Sequence, residues 1–173
     1  EALGNSDVDV PCLFLHLPDS SHLATPDGIQ LLRDVISHML YRPSIQVAAG
    51  IFHTETQFLA MQRGESEPGS GKWEFPGGSV EANESPEEAM IRELKEELGV
   101  NSIINQKLGV WSFTYPFLHV ELNVFLVSTE DTLDSSMLSV HSSMQWVTYD
   151  TALELDWLEA DLPIVKHLQT LGY

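Results

Sequence analysis

The chain is poor in basic residues, and this shortage excludes one class of partner. It has eight Lys and Arg against 26 Asp and Glu, which gives a formal net charge of −18 over 173 residues. Because affinity for long nucleic acid rests mainly on neutralising several phosphates, we expect no binding of duplex DNA or long RNA. A small anionic substrate remains compatible with this charge if a divalent cation and a few placed basic residues offset the field locally.

Cysteine and long apolar runs are also scarce. The single cysteine, Cys12, excludes an internal disulfide framework and a cysteine-based metal site. The seven histidines form no pair at i and i+4, so we expect no zinc site. No apolar run approaches the roughly 20 residues that span a bilayer, so no membrane partner is expected. Residues 1–5 lack the basic and apolar regions of a secretory signal, and a cytoplasmic location follows by default.

The first 43 residues differ in character from the rest of the chain. A short strand is predicted at 12–16, and Thr25 opens an apolar-periodic segment that indicates a helix ending at Arg42-Pro43. We expect residues 1–43 to form an N-terminal extension of a domain at 44–173. This extension is predicted to be a small appendage, a packing arm or a contact within a homodimer.

Residues 44–173 show strand and helix patterns in an informative order. Two strands come first, then a Gly-, Ser- and Glu-rich loop and a helix, then further strands and a closing helix. This order predicts an α/β fold in which helices flank a mixed sheet. The predicted strands are 45–52, 57–61, 107–115, 119–128 and 144–148, the loop is 64–71, and the helices are 85–99 and 160–171.

The helix at 85–99 has the clearest boundaries in the chain. Ser85 and Glu88 predict a capping box, with Pro86 at the first helical position. Gly99 suits the left-handed position that ends a helix. The apolar stripe expected to face the core consists of Met90, Ile91, Leu94 and Leu98.

Three glutamates lie beside that stripe. Glu93, Glu96 and Glu97 fall within an arc of about 100° on the helix. Like charges that are partly buried repel each other strongly, and a bound cation would remove that repulsion. Carboxylate oxygens are the ligands that Mg²⁺ prefers. Taken alone, however, the helix is explained more simply as a solvated acidic face.

The segment before the helix favours the metal-binding explanation. Pro76-Gly77-Gly78 allows the backbone to approach the helix closely, because glycine has no Cβ and tolerates unusual φ and ψ. Together the two segments resemble the Nudix box at every fixed position, and the resemblance to Nudix hydrolases covers about 44–171. The matching pattern is Gly78-x5-Glu84-x7-Arg92-Glu93-Leu94-x-Glu96-Glu97-x-Gly99-Val100.

The resemblance implies an α/β/α sandwich that hydrolyses nucleoside diphosphates linked to another group, with Mg²⁺ or Mn²⁺. By position, Glu93, Glu96 and Glu97 would hold the metals, and the Gly77 carbonyl would be a further ligand. Arg92 would orient the glutamates through an ion pair such as one with Glu84. Glu93 or a neighbouring carboxylate would accept the proton of the attacking water, and the resemblance does not choose between them.

The flanking segments resemble the MutT and CTP pyrophosphohydrolase branch. Arg63 matches the arginine that contacts phosphate in that branch. Asp161 matches an Asn or Asp that reads the base edge, where it would accept from an exocyclic amine; the alternative is a helix N-cap. Phe75 and Trp157 are the aromatic residues expected to stack on a base, although core packing is the default for aromatic side chains.

We therefore predict a Mg²⁺-dependent nucleoside triphosphate pyrophosphohydrolase that releases a nucleoside monophosphate and pyrophosphate. Its substrate would be an oxidised or modified nucleotide such as 8-oxo-dGTP, or a cytosine nucleotide. The alternatives are hydrolysis of a nucleotide sugar or dinucleotide of the ADP-ribose type, and nucleotide binding without turnover in a regulatory protein.

One departure from the branch leaves the number of metals and the general base open. MutT-like enzymes usually supply another carboxylate from beyond the box. The matching positions here are Ser128 and the segment 139–143, none of which is acidic. Glu121 and Glu130 lie nearby, but neither aligns with the expected position.

Overall fold

The computed structural model describes residues 25–40, 42–133, 138 and 141–171. The chain falls into two compact units, Glu1–Tyr41 and Arg42–Tyr173. Across the described residues, no helix is both long and apolar enough to cross a membrane. The short strand predicted at 12–16 lies outside the described residues.

The described part of the first unit is a helix, α1 (Pro26–Leu40). The Thr25 hydroxyl accepts a hydrogen bond from Gly28 N at 3.1 Å, which satisfies one backbone donor of the first turn. The helix predicted after Thr25 is therefore confirmed. Three of its apolar side chains are exposed: Ile29, Leu31 and Ile36.

In the second unit the described residues form two sheets and two α-helices. The elements are β1 (Ser44–Phe52), β2 (Gln57–Gln62), β3 (Trp73–Glu74), β4 (Gly77–Ser79), α2 (Pro86–Leu98), β5 (Ser102–Tyr115), β6 (Leu118–Thr129), β7 (Ser143–Thr148), a 3₁₀ turn (Ala152–Glu154) and α3 (Leu162–Leu171). The larger sheet has the strand order β4-β1-β6-β5, in which β1 and β6 are parallel and the other pairs are antiparallel. The smaller, antiparallel sheet has the order β3-β2-β7. This arrangement confirms the predicted α/β fold with a mixed sheet.

Alternating side chains of the central strands divide the core into two layers. On β1, Ala48 packs in the cluster that contains Leu94 of α2. Its neighbour Ala49 packs in the cluster that contains Ile164 of α3. Because successive side chains of a strand point to opposite faces, the strands separate the two helices. The predicted α/β/α sandwich is thus present.

Helix α2 begins and ends at the predicted residues, but one position of its apolar stripe is wrong. Both hydrogen bonds of the capping box between Ser85 and Glu88 are present, and Gly99 is left-handed with φ 69°. Ile91, expected in the core, is 39% exposed. The buried arc is instead centred on Met90 and extends toward Glu97, which lies only about 20° from Met90 in helical projection.

Two short strands and an early strand start were not predicted. The strands β3 and β4 lie in the segment before α2, where they bring Pro76-Gly77-Gly78 against β1. Strand β5 begins at Ser102, ahead of the predicted residue 107. Register shifts near Gln106 and Lys107 interrupt its alternation, and such irregularities hide a strand from a period-2 pattern.

Candidate active site

A cavity of about 700 Å³ opens in the second unit. Its lining includes apolar side chains of β1 and β6 together with acidic groups from α2 and from the approach to α3. Cavities of this volume commonly bind small molecules. Of the residues predicted to act in catalysis or binding, those that line it are Arg63, Phe75, Gly77, Glu93, Glu97 and Asp161.

The backbone of β4 forms one wall of this cavity and requires two glycines. Gly77 has φ +145°, and a Cβ there would lie under 3.0 Å from the Ala48 carbonyl oxygen. A Cβ on Gly78 would lie under 3.0 Å from the carboxylate atoms of Glu93. The Glu93 carboxylate therefore packs directly on the main chain, which a larger residue at 78 would prevent.

Arg92 holds the carboxylates of α2 in a defined arrangement. Its Nε and Nη2 donate to the two Glu84 oxygens at 3.1 and 2.7 Å, so the expected ion pair with Glu84 is present. Its Nη1 donates to Glu93 at 2.9 Å and to Glu96 at 3.1 Å, and Nη2 also donates to the Ser79 carbonyl at 3.0 Å. The hydrogen bonds that Arg92 donates to Glu84, and next those to Glu93, raise the pKa of Arg92. This fork geometry fixes Glu93 beside Gly78.

Glu97 is buried, whereas Glu96 is not. The Glu97 side chain is 11% exposed and that of Glu96 60% exposed, and Glu96 does not line the cavity. One Glu97 oxygen accepts from Gly77 N at 3.0 Å. Burial is the main cause that raises the pKa of Glu97 to about 7, partly offset by His141 and the Gly77 hydrogen bond. The two neighbouring glutamates therefore have different environments and different chemistry.

His141, which sequence reasoning missed, does not line the cavity but lies against two acids that do. It lies in the segment 139–143, where a further carboxylate is expected from the branch. Its Nε2 is 2.9 Å from Glu74 Oε1, and its Nδ1 is 3.8 Å from Glu97 Oε1. Burial lowers the pKa of His141, but Glu74 and Glu97 outweigh this and raise it overall. The sequence feature that could have identified it is its position inside that segment, five residues before Trp146.

Arg63 is engaged by protein groups. Its Nη1 pairs with Glu74, its Nη2 lies 3.5 Å from Glu67, and its Nε donates to the Pro68 carbonyl at 2.7 Å. Arg63 thus lines the cavity while neutralising two carboxylates. A phosphate at this guanidinium would have to share it with those groups.

The two aromatic residues expected to stack on a base are both buried. Phe75 and Trp157 pack against each other with ring centroids 5.1 Å apart, in a cluster that also contains Phe58 and Tyr149. Phe75 still contributes to the cavity lining, whereas Trp157 does not. Core packing is therefore the main role visible for this pair.

Asp161 is buried in the cavity wall at the start of α3. Its Oδ1 accepts from Phe75 N at 3.3 Å, so the side chain reaches another segment of the chain. The backbone carbonyl of Asp161 accepts from Ile164 N and Val165 N. Burial, followed by the charge of Glu74, raises the pKa of Asp161 to about 8. Near neutral pH the carboxyl can therefore donate a hydrogen bond as well as accept one.

Among the described residues, the other acids and serines considered beyond the box do not line the cavity. Ser128 Oγ donates to Asn105 at 3.0 Å on the β5–β6 edge. Glu121 lies on β6 and pairs in register with Ser112, and Glu130 follows that strand. Residues 139 and 140 lie outside the described residues.

The Nudix domain family matches residues 44–168. The chain belongs to the Nudix family.

Named relatives place this Nudix hydrolase in the MutT-like branch. It is 38% identical over 93 residues to an 8-oxo-dGTP diphosphatase of Proteus vulgaris, covering 52% of this chain and 81% of that protein. It is 28% identical over 127 residues to a CTP pyrophosphohydrolase of Escherichia coli (strain K12), covering 73% of this chain and 93% of that one. A MutT protein of Methanosarcina mazei Go1 shares the fold, with a TM-score of 0.68 at 24% identity over 77% of this chain and 98% of that chain. The chain is thus a hydrolase that acts on phosphoric anhydride bonds.

Nudix hydrolases use a divalent metal, and the residues present here fit one. Glu93 and Glu97 offer carboxylate oxygens on one side of the cavity, the donors that Mg²⁺ and Mn²⁺ accept. Burial of Glu97 disfavours its charged form, and a bound cation would reverse that effect. Glycine at 78 lets the Glu93 carboxylate lie against the main chain at the edge of the cavity.

Proposed function

We propose that this Nudix hydrolase is a Mg²⁺- or Mn²⁺-dependent nucleoside triphosphate pyrophosphohydrolase. It would convert a nucleoside triphosphate and water into a nucleoside monophosphate and pyrophosphate. The observation that carries the proposal is the pair Glu93 and Glu97 facing the same cavity as the buried Asp161. The two carboxylates would bind the cation, and the Asp161 carboxyl would contact the base. All three line one cavity of a size that can hold a nucleotide.

In this proposal the metal would be held by Glu93, Glu97 and the Gly77 carbonyl, with Glu96 as the more exposed contributor. When bound, the ion neutralises charge on the phosphates and makes water a stronger nucleophile at neutral pH. Arg92 keeps Glu93 in place through the hydrogen bonds described above. Because little covalent chemistry is needed from the protein, correct positioning supplies much of the rate.

A carboxylate of α2 would take the proton of the attacking water. Glu93 is held in place by Arg92. Glu97 is more deeply buried, and its carboxylate is fixed by the hydrogen bond from Gly77 N. We propose both as participants, with Glu97 as the residue whose loss is most damaging.

Asp161 would read the base. The branch relatives are named for 8-oxo-dGTP and CTP, whose bases differ in the donors and acceptors on their edges. A buried carboxyl with a pKa near 8 can meet either a carbonyl oxygen or an amine. We propose an oxidised guanine nucleotide or a cytosine nucleotide as the substrate. Phe75 would support this end of the cavity by fixing the backbone N–H that Asp161 accepts.

The test is product release across a panel of nucleotides at pH 8 with Mg²⁺ and with chelator. The panel contains the ordinary and deoxy triphosphates, 8-oxo-dGTP, 5-methyl-dCTP, ADP-ribose and a dinucleotide polyphosphate. We expect pyrophosphate from one triphosphate, lost with chelator and in Glu97→Gln. The control variant is Glu130→Gln, because that acid does not line the cavity.

Each other outcome points to a different conclusion. Consumption of ADP-ribose or the dinucleotide alone would replace the proposed substrate and keep the anhydride chemistry. Tight nucleotide binding without turnover would support the regulatory alternative. Turnover by Glu97→Gln close to that of the wild type would remove Glu97 from the mechanism.

We also propose that residues 1–43 form an N-terminal extension of the hydrolase domain at 44–173 and contribute to a homodimer. The exposed apolar side chains Ile29, Leu31 and Ile36 of α1 support such a contact. Removing residues 1–43 should lower the mass measured in solution by light scattering from dimer to monomer. An unchanged subunit number would reject the dimer role. A cytoplasmic location stays a prediction, to be tested by imaging a tagged chain.

A further inference from the structure

The imidazole of His141 is held in a fixed orientation by its surroundings. Next to it, Ser142 N donates to the Gln62 carbonyl at 2.9 Å, which ties the backbone to β2. The ring is almost fully buried, with a side-chain exposure of 3%. Its Nε2 lies 2.9 Å from Glu74, which is itself paired with Arg63. Since Glu74 is an acceptor beside a basic partner, Nε2 carries the hydrogen and donates to it.

The other ring nitrogen is left without a hydrogen-bond partner. His141 Nδ1 is buried and makes no hydrogen bond among the described residues. It faces a carboxylate oxygen of α2, Glu97 Oε1, at a distance of 3.8 Å. This separation exceeds the roughly 2.7–3.2 Å of a hydrogen bond. A buried nitrogen without a hydrogen bond is unfavourable, which indicates that another group satisfies it in the working protein.

The arrangement matches that of a histidine ligand to a metal. Such a histidine usually donates its second ring N–H to a carboxylate, which fixes the ring and its tautomer. Here Glu74 supplies that carboxylate. Two ligands of one divalent ion, each about 2.0–2.2 Å from it, lie roughly 3–3.5 Å apart. The 3.8 Å gap between Nδ1 and Glu97 Oε1 therefore needs to close by roughly 0.3–0.8 Å for both atoms to bind one ion.

We propose that His141 Nδ1 is a direct ligand of the metal ion bound by Glu97. It takes the place of the carboxylate that MutT-like enzymes usually supply from beyond the box, and it comes from the same segment. The inference rests on the proposed metal site and adds a nitrogen donor to it. Ligand atoms of Glu67, Glu74 and His141 also lie within 4.8 Å of one another. Both of these carboxylates are paired with Arg63, whereas Glu97 is the acid that faces Nδ1.

A nitrogen donor changes which metal the site prefers. Mg²⁺ favours an all-oxygen shell and keeps several waters, whereas imidazole suits transition metals and raises affinity along the series that begins with Mn²⁺. We therefore expect Mn²⁺ or Co²⁺ to bind more tightly than Mg²⁺. The ratio of the dissociation constants should be larger here than in a site built from carboxylates alone. His141→Gln should reduce the preference for Mn²⁺ or Co²⁺ over Mg²⁺, because Gln keeps a polar group toward Glu74 but offers no ligand at the Nδ1 position.

The experiment measures Mn²⁺ binding by electron paramagnetic resonance on the full untagged chain. Pulsed spectra of the bound Mn²⁺ should show coupling to a directly coordinated ¹⁴N nucleus, which changes to ¹⁵N coupling when histidine is labelled. In His141→Gln this coupling should disappear, and the Mn²⁺ dissociation constant should rise by about tenfold or more. The matched control is His119→Gln, because His119 pairs with Thr114 on the β5–β6 ladder.

The wild-type spectrum decides the proposal without depending on how a variant folds. Bound Mn²⁺ with no nitrogen coupling would overturn it, even if His141→Gln binds the ion more weakly, since His141 would then act only through Glu97. Mn²⁺ binding by Glu97→Gln separates the failure of this proposal from the failure of the proposed metal site as a whole. If the wild type binds no Mn²⁺, or if Glu97→Gln binds it as tightly, the proposed function itself loses its metal centre.

Discussion

Replacing Glu97 with Gln should stabilise the metal-free protein while abolishing turnover. Glu97 is buried beside Met90 on α2, and burial raises its pKa from the usual 4.5 to about 7. The folded chain therefore holds this proton more tightly than the unfolded chain. The protonated Glu97 carboxyl therefore makes its full contribution to the free energy of unfolding below about pH 4.5, and this contribution is lost as the pH rises through about 7. At pH 8 the ionised carboxylate destabilises the fold, and a neutral Gln does not.

The size of this effect follows from the shift in pKa. A rise from 4.5 to about 7 corresponds to roughly 3 kcal/mol, at about 1.4 kcal/mol for each tenfold change in proton affinity. Gln can keep the hydrogen bond from Gly77 N, because its amide oxygen also accepts. For a chain of this size, such a difference raises the melting temperature by about 6–12 °C.

Thermal unfolding in chelator at pH 5 and at pH 8 measures the difference. We expect Glu97→Gln to unfold at a higher temperature than the wild type at pH 8, with a much smaller gap at pH 5. Adding Mg²⁺ at pH 8 should stabilise the wild type more than the variant, because the ion favours the charged carboxylate. The matched control is Glu96→Gln one residue away, whose exposed pair with Arg92 is worth at most about 1 kcal/mol. A variant less stable than the wild type at pH 8 in chelator would refute the reasoning.

Three further changes have outcomes set by the structure. Gly78→Ala should lower kcat by at least about tenfold, because its Cβ would displace the Glu93 carboxylate, and near-normal kcat in steady-state kinetics would contradict this packing. Ser85→Ala should cost about 0.5–2 kcal/mol in a urea titration, since both hydrogen bonds of the capping box are lost; an unchanged midpoint would count against that role. Asp161→Asn should reduce the loss of stability that the wild type shows between about pH 4 and pH 8, because the pKa of the buried carboxyl is raised to about 8. Parallel stability curves for that variant and the wild type over this pH range would show that Asp161 is not the group responsible.

The parts of the fold that sequence predicts are those specified by neighbouring residues. The ends of α2 follow from Ser85, Glu88 and Gly99, all within or next to the helix, and they form as predicted. Strands β1 and β2 carry continuous apolar runs, so their limits are also close to those predicted. The Nudix box lies in one contiguous segment, which is why its glutamates can be located from the order of residues alone.

The rest depends on contacts between distant segments. Glu74 and His141 are 67 residues apart in sequence, and no local pattern brings them together. The resemblance assigns Arg63 to phosphate, whereas in the fold this residue also neutralises Glu67 and Glu74. The exposure of Ile91 likewise depends on which side of α2 meets the sheet, and helical spacing alone does not fix the centre of that face.

The parallel pairing of β1 with β6 governs how this chain can fold. The two strands align from Ser44 opposite His119 to Phe52 opposite Val127, so the paired residues are 75 positions apart in sequence. Such non-local pairing slows folding, because the chain entropy is lost before the contacts form. The box helix lies between these two strands in sequence and packs against β1. Until β6 has been synthesised and docked, β1 presents an unpaired edge, and a chain stopped before Leu118 should aggregate rather than bind metal.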